Sequence, residues 1–141
     1  MFFGEFDYKL DEKGRLPVPP RFRMQLKDGL VMLPGIEKCI VAYPVIEWVK
    51  LSQKMTESGL LSNAKTRKLN RALLGQAFPA NLDGQGRINL PVPLRAHAGI
   101  SDDVVVVGVN TTLELWNKTA WEAEKTAGAE DLWHIIESQE K

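Results

Sequence analysis

Cysteine is nearly absent from this 141-residue chain, and Cys39 alone cannot form an intrachain disulfide. With only two histidines, His97 and His134, the sequence offers no Cys/His cluster with the four-ligand spacing of a structural zinc site. The histidines lack an i,i+4 partner, so surface or packing roles are expected of them. Cys39 lies in an apolar strand pattern and reads as a small buried hydrophobe. No run approaches the roughly 20 apolar residues of a membrane span. The opening Met1-Phe2-Phe3-Gly4-Glu5-Phe6-Asp7 has no basic segment followed by a long apolar stretch, so a cytosolic protein without a targeting segment is expected. P-loop, GxSxG and HExxH patterns are missing, and Gly84-Gln85-Gly86 is too short to be a dinucleotide loop. Carboxylates such as Glu5 and Glu114 are scattered rather than paired. Neither an enzyme nor a cofactor is expected. An excess of one charge is lacking too: 18 Lys and Arg balance 18 Asp and Glu, so any polyanion site must be a local patch.

What is present is an ordinary globular composition, 44% apolar and 26% charged, sized for one compact domain or two half-size units sharing a core. The neutrality conceals segregation. Residues 58–82 carry Lys65, Arg67, Lys68 and Arg71 without an acid, whereas residues 117–141 hold three basic and six acidic residues.

The chain also repeats itself. Leu10-Asp11-Glu12-Lys13-Gly14-Arg15-Leu16 is echoed by Leu82-Asp83-Gly84-Gln85-Gly86-Arg87-Ile88, an offset of 72 from Asp11 to Asp83. Pro19, Phe22 and Arg23 match Pro91, Leu94 and Arg95 at the same offset. At an offset of 73, Val31, Leu33, Gly35, Ile40, Tyr43 and Trp48 match Val104, Val106, Gly108, Leu113, Trp116 and Trp121.

Within a unit, Phe6, Tyr8 and Leu10 alternate with Asp7 and Lys9 as a half-buried strand does. Asp11 and Gly14 suit a type I turn, with Gly14 free to take positive φ, and Arg15 opens a return strand. Pro20 and Pro93 suit the starts of short helices, and Gly99 the end of the second. Leu30–Leu33 with Cys39–Tyr43, and Val104–Val109 with Thr112–Trp116, read as further strand pairs. Each unit is thus expected to be β-hairpin, short helix, β-hairpin. Longer helices are expected after Pro44 and after Asn117 as N-cap, and a basic one from Ser62 to Leu74 stopping at Gly75. The recurring tryptophans are assigned to packing.

The expected organisation is a first module with its helix over 1–57, a connecting basic helix over 58–75, a second module with its helix over 76–127, and an acidic tail over 128–141. That tail holds an apolar stripe, Leu132, Trp133, Ile135 and Ile136. About 50 residues make little core alone, so the two units are expected to pack on each other as a pseudo-twofold dimer within one chain. The two Asp-x-x-x-Arg turns would then lie at related positions. Asp11 and Asp83, with Gly14 and Gly86, structure the turns. Arg15 and Arg87 present fixed guanidinium forks that suit phosphate or a guanine edge, and Lys13 with Arg21 or Arg23 adds charge for a nucleic-acid backbone.

Met1-Phe2-x-Gly4-Glu5-Phe6, Leu10-Asp11-x-Lys13-Gly14-Arg15-Leu16, Tyr43-Pro44-x-x-Glu47-Trp48 and Leu82-Asp83-x-x-Gly86-Arg87-Ile88 together resemble the MraZ family of bacterial transcriptional regulators, over roughly residues 1–125. The resemblance implies a mainly β fold with flanking helices, built as two tandem AbrB/MazE/MraZ-like swapped-hairpin modules forming a barrel. It also implies a ring-shaped homo-oligomer on the nucleoid. Such a ring would bind double-stranded DNA at repeated boxes upstream of its own division and cell-wall gene cluster, usually as a repressor. The family's Asp-x-x-x-Arg motif carries over to Asp11 with Arg15 and to Asp83 with Arg87. Phe3 stands where the family often has a basic residue. Pro17 sits in the return strand, where only an edge tolerates it, and Gln85 replaces the lysine found at Lys13. No small-molecule substrate and no membrane are expected. The alternative is a protein-interaction module of the antitoxin type that uses the apolar stripe, with DNA binding secondary; a hydrolase is a remoter rival.

Overall fold

Local signals set most of the element boundaries. The computed structural model describes residues 1–57 and 63–139. Over these, the chain runs β1 (Phe2–Lys9), β2 (Arg15–Pro17), α1 (Pro20–Arg23) continuing into a 3-10 turn (Met24–Leu26), β3 (Leu30–Pro34), β4 (Ile40–Pro44), α2 (Val45–Glu57) and α3 (Ala64–Leu74). The second half follows as β5 (Phe78–Ala80), β6 (Arg87–Asn89), α4 (Val92–Ala98), β7 (Asp103–Asn110), β8 (Thr112–Asn117) and α5 (Lys118–Gln139). Pro20 opens α1, α4 begins one residue before Pro93, and Gly99 ends α4 in the left-handed region at φ 64°. The Asn63 side chain accepts from the Thr66 amide at 2.9 Å to cap α3, and Asn117 caps α5 through the Ala120 amide at 3.1 Å. Ser62 and the rest of 58–62, where the connecting segment was expected to begin, lie outside the described residues, as do 140 and 141. α5 continues without a break through Gly128, so the apolar stripe belongs to a long helix.

The β3–β4 and β7–β8 hairpins form as expected, but the opening hairpin of each repeat does not. β1 and β2, joined by the Asp11 turn, do not pair with each other. β1 instead lies antiparallel to β7 of the second repeat, from Phe2 opposite Asn110 to Lys9 opposite Asp103. β2 pairs with β6, Leu16 opposite Ile88. The result is a six-stranded sheet in the order β1-β7-β8-β4-β3-β5 and a separate two-stranded sheet, β2-β6. The six-stranded sheet is open, with β1 and β5 at its edges, so the expected barrel does not close. Partner choice in an antiparallel sheet is a long-range packing decision, and hydrophobic alternation within one strand carries no record of it.

The order is palindromic. β1 and β5, β7 and β3, and β8 and β4 are repeat-equivalent, which places a pseudo-twofold axis between β8 and β4. The register also corrects the repeat alignment. Leu30 faces Pro44 where Val104 faces Asn117, so the β3–β4 connection is one residue longer than the β7–β8 one. Val31 therefore corresponds to Val105 and Leu33 to Val107, while Ile40 with Leu113 and Tyr43 with Trp116 keep their sequence match.

The main core lies between the six-stranded sheet and a layer made of β2, β6, α1 and α4. Leu16, Val18, Phe22, Leu26, Ile88, Leu90 and Leu94 meet Phe2, Leu30, Met32, Ile40, Val104, Val106, Leu113 and Leu115. The Phe22 ring sits edge-on to Phe2 and Phe6, with centroids 5.0 and 5.4 Å apart. On the opposite face of the sheet, Cys39, Val105, Val107 and Trp116 pack with Trp121 at the start of α5. Tyr43 with Trp48, and Trp116 with Trp121, form equivalent aromatic pairs in the two repeats.

Candidate nucleic-acid interface

Each Asp-x-x-x-Arg segment closes on itself through its own carboxylate. Asp11 Oδ1 accepts from the amides of Lys13 at 2.9 Å and Arg15 at 2.8 Å, and Oδ2 accepts from Arg15 Nε at 2.6 Å. Asp83 repeats the arrangement with the amides of Gln85 and Arg87 and with Arg87 Nε, each at 2.9 Å. Gly14 and Gly86 donate back to the carbonyls of Asp11 and Asp83 at 3.0 Å, and their φ of 79° and 73° lies in the region that glycine occupies without penalty. The backbone amides of Arg15 and Arg87 are the main reason both carboxyls sit below the usual carboxylate range; partial desolvation opposes the effect. Both are therefore ionised at neutral pH.

The β2–β6 pairing brings these two turns side by side. Val18 donates to the Gly86 carbonyl at 2.9 Å and Leu90 to the Gly14 carbonyl at 2.8 Å, the same contact on either side of the local axis. Arg87 Nη1 comes within 3.9 Å of Asp11 Oδ2 across that axis. Pro17 is accommodated because β2 has β6 on one side only in this sheet.

Of the residues singled out from sequence, Arg15, Arg87 and Lys13 are thus assembled on one pair of turns. Arg15 and Arg87 keep 33% and 25% of their side chains exposed while Nε is held by a carboxylate, which fixes the plane of each guanidinium. A fork fixed in this way matches a phosphate or a guanine edge. Lys13 and its counterpart Gln85 are exposed at the tips.

Arg23 occupies a different position. Its Nε donates to the Val18 carbonyl at 3.0 Å, and its guanidinium fills the space beside Gly86, where a Cβ would stand. Arg95 mirrors it, donating to the Leu90 carbonyl at 3.0 Å and lying 3.2 Å from a Cβ placed on Gly14. Each repeat thereby supports the turn of the other. Arg21 sits 5.3 Å over the Phe6 ring. Sequence reasoning passed over Arg95 as a site residue, although its match to Arg23 at offset 72 was in view; the contact itself crosses between the repeats.

No group of His, Cys, Asp and Glu among the described residues could hold a metal ion, and no described helix is long and apolar enough to cross a membrane. His97 Nε2 lies 3.1 Å from the Gly35 carbonyl. Cys39 is buried, and burial pushes its thiol up to about 12.

Comparison with known proteins gives a consistent picture. The family described as "MraZ protein, putative antitoxin-like" matches residues 1–71 and 73–139. The chain is 55% identical to the transcriptional regulator MraZ of Dehalococcoides mccartyi over 100% of its own length and 99% of that protein. It is 40% identical to the Limosilactobacillus fermentum protein of the same name, over 94% of this chain and 92% of that one. For the Deinococcus radiodurans protein the identity is 41%, over 87% and 86%.

Proposed function

The chain belongs to the MraZ family, and from that premise we propose that it is a sequence-specific DNA-binding transcriptional regulator. It acts as a repressor on repeated boxes upstream of its own division and cell-wall gene cluster. It works in the cytoplasm, on the nucleoid, as a ring-shaped homo-oligomer. The names of the relatives support regulation of transcription. The observation that carries the DNA-binding part is the pair of adjoining turns, which holds two partly exposed guanidiniums in fixed planes across a local twofold.

In this reading Arg15 and Arg87 contact the duplex, Lys13 adds phosphate charge, and Asp11, Gly14, Asp83 and Gly86 hold the turns. Arg21 supplies further backbone-phosphate charge; Arg23 acts by supporting the Gly86 turn. A chain with no net charge has no long-range field for DNA. A ring overcomes that, because several identical turn pairs on adjacent boxes act at high effective concentration. One subunit alone binds weakly.

The test is fluorescence anisotropy with duplex from immediately upstream of the gene, against a scrambled duplex, over a salt series. Wild type should prefer the native duplex, with log affinity falling by about 0.9 per neutralised phosphate per log unit of salt. Arg15→Ala should weaken binding at least about tenfold with folding and assembly intact. Equal affinity for scrambled DNA at every salt concentration would remove the regulator reading and favour the antitoxin-type alternative. Loss of assembly in Arg15→Ala would make the arginine structural.

A further inference from the structure

The distal half of α5 carries an apolar face that no other described residue covers. Leu132, Trp133, Ile135 and Ile136 are 48%, 69%, 49% and 39% exposed, although an apolar stripe on a helix is normally what it buries. Lys118 and Lys125 precede Leu132 at seven-residue steps on the same face and pair with Asp7 at 3.7 Å and Glu5 at 3.0 Å on β1. The stripe therefore continues the face that α5 turns to the sheet, yet the sheet does not cover it, and Phe3 further along β1 is 60% exposed. α5 as a whole is acidic, with Glu122, Glu124, Glu130, Asp131 and Glu137 against Lys118 and Lys125.

A complementary surface exists on the same chain. α3 carries Lys65, Arg67, Lys68 and Arg71, all exposed, and no acid. Thr66 is its buried residue, while Leu69 and Leu74 remain 45% and 50% exposed on either side of it. Both surfaces are open in one subunit, so neither covers the other within the chain.

We propose that the distal apolar face of α5 docks on α3 of a second copy of this chain. The Leu132–Ile136 stripe lies on Leu69, on the side of α3 that carries Lys65 and Lys68, and Asp131 and Glu137, which flank the stripe, meet the α3 cations. Charge decides the occupant: two α5 helices face to face would oppose acid with acid, whereas α5 on α3 opposes acid with base. The contact joins two different patches; made once between each pair of copies it is heterologous, and it propagates from copy to copy into a ring where its rotation closes. The proposal rests on the homo-oligomer reading above and names the surfaces that make it.

Disulfide trapping in the full-length protein tests it, since Cys39 is buried and does not compete. Leu69→Cys and Leu132→Cys variants carrying different tags are mixed, allowed to exchange subunits and mildly oxidised, with native mass spectrometry of wild type alongside. The mixed cross-linked pair should dominate, and neither variant alone should cross-link. As a second test, Lys68→Glu/Arg71→Glu and Asp131→Lys/Glu137→Lys should each weaken assembly at least about tenfold, and mixing the two charge-reversed chains should restore it. Self-linking of Leu132→Cys would overturn the proposal in favour of α5 on α5. Oligomers without the mixed cross-link would place the interface elsewhere. Reversal of the α3 charges that weakens DNA binding while the oligomer stays intact would assign α3 to DNA. A wild-type protein monomeric at tens of micromolar would defeat the homo-oligomer reading itself.

Discussion

Gly86→Ala should destabilise the protein by about 2–3 kcal/mol, and Gly14→Ala by only about 1–2 kcal/mol. Both glycines have positive φ, 73° and 79°, and forcing an alanine there costs about 1–2 kcal/mol on backbone grounds alone. The environments then differ. A Cβ at Gly14 lies 3.2 Å from the far end of the Arg95 side chain, which can yield by a few tenths of an ångström. A Cβ at Gly86 overlaps Arg23 at Cδ, Nε and Cζ, while that Nε is tied to the Val18 carbonyl at 3.0 Å. Arg23 must release that bond to make room, a loss of about 0.5–1.5 kcal/mol. Urea unfolding followed by tryptophan fluorescence, at one fixed protomer concentration, measures the difference. In an Arg23→Ala background the extra cost of Gly86→Ala should vanish, leaving about 1–2 kcal/mol of backbone strain. Equal costs for the two glycines, or an excess of the Gly86→Ala penalty over the Gly14→Ala one that survives removal of Arg23, would refute the buttress.

Leu16→Ala, at a fully buried position opposite Ile88, should cost about 2–5 kcal/mol in the same unfolding assay. The lowered carboxyls of Asp11 and Asp83 give a stabilisation that is complete above the ordinary carboxylate pKa near 4 and is lost as pH falls through the depressed value. Acid unfolding should therefore steepen below about pH 4, and Asp83→Asn should flatten that limb while lowering stability at pH 7; an unchanged acid limb counts against the turn carboxylates. With its thiol pushed up to about 12 by burial, Cys39 should resist a thiol-labelling reagent at pH 8 until denaturant is added, and prompt labelling of the native protein would show the pocket to be open.

The turns were legible because their chemistry is local. An aspartate four residues before an arginine, with glycine between them, encodes nearly every hydrogen bond found around Asp11 and Asp83. Helix ends at Asn117 and Gly99 were readable for the same reason. The departures all concern contacts between the repeats. Phe6 and Tyr8 announce a strand but not that Val106 and Val104 are its partners. The support that Arg23 gives to Gly86 spans 63 positions, and no periodicity signals it. The open sheet follows from those same cross-repeat pairings, whereas the barrel was an expectation carried by resemblance.

The exchange of opening strands also bears on how the protein is made. β1 leaves the ribosome about a hundred residues ahead of its ladder partner, which spans residues 103–110. At about 5–20 residues per second, the first strand waits roughly 5–20 s before β7 is synthesised, and it must stay clear of other unpaired edges meanwhile. Neither half can complete its sheet from its own strands, so the chain reaches its native form as one late, long-range event. The charges on β1, Glu5, Asp7 and Lys9, keep that waiting strand from pairing with a stranger.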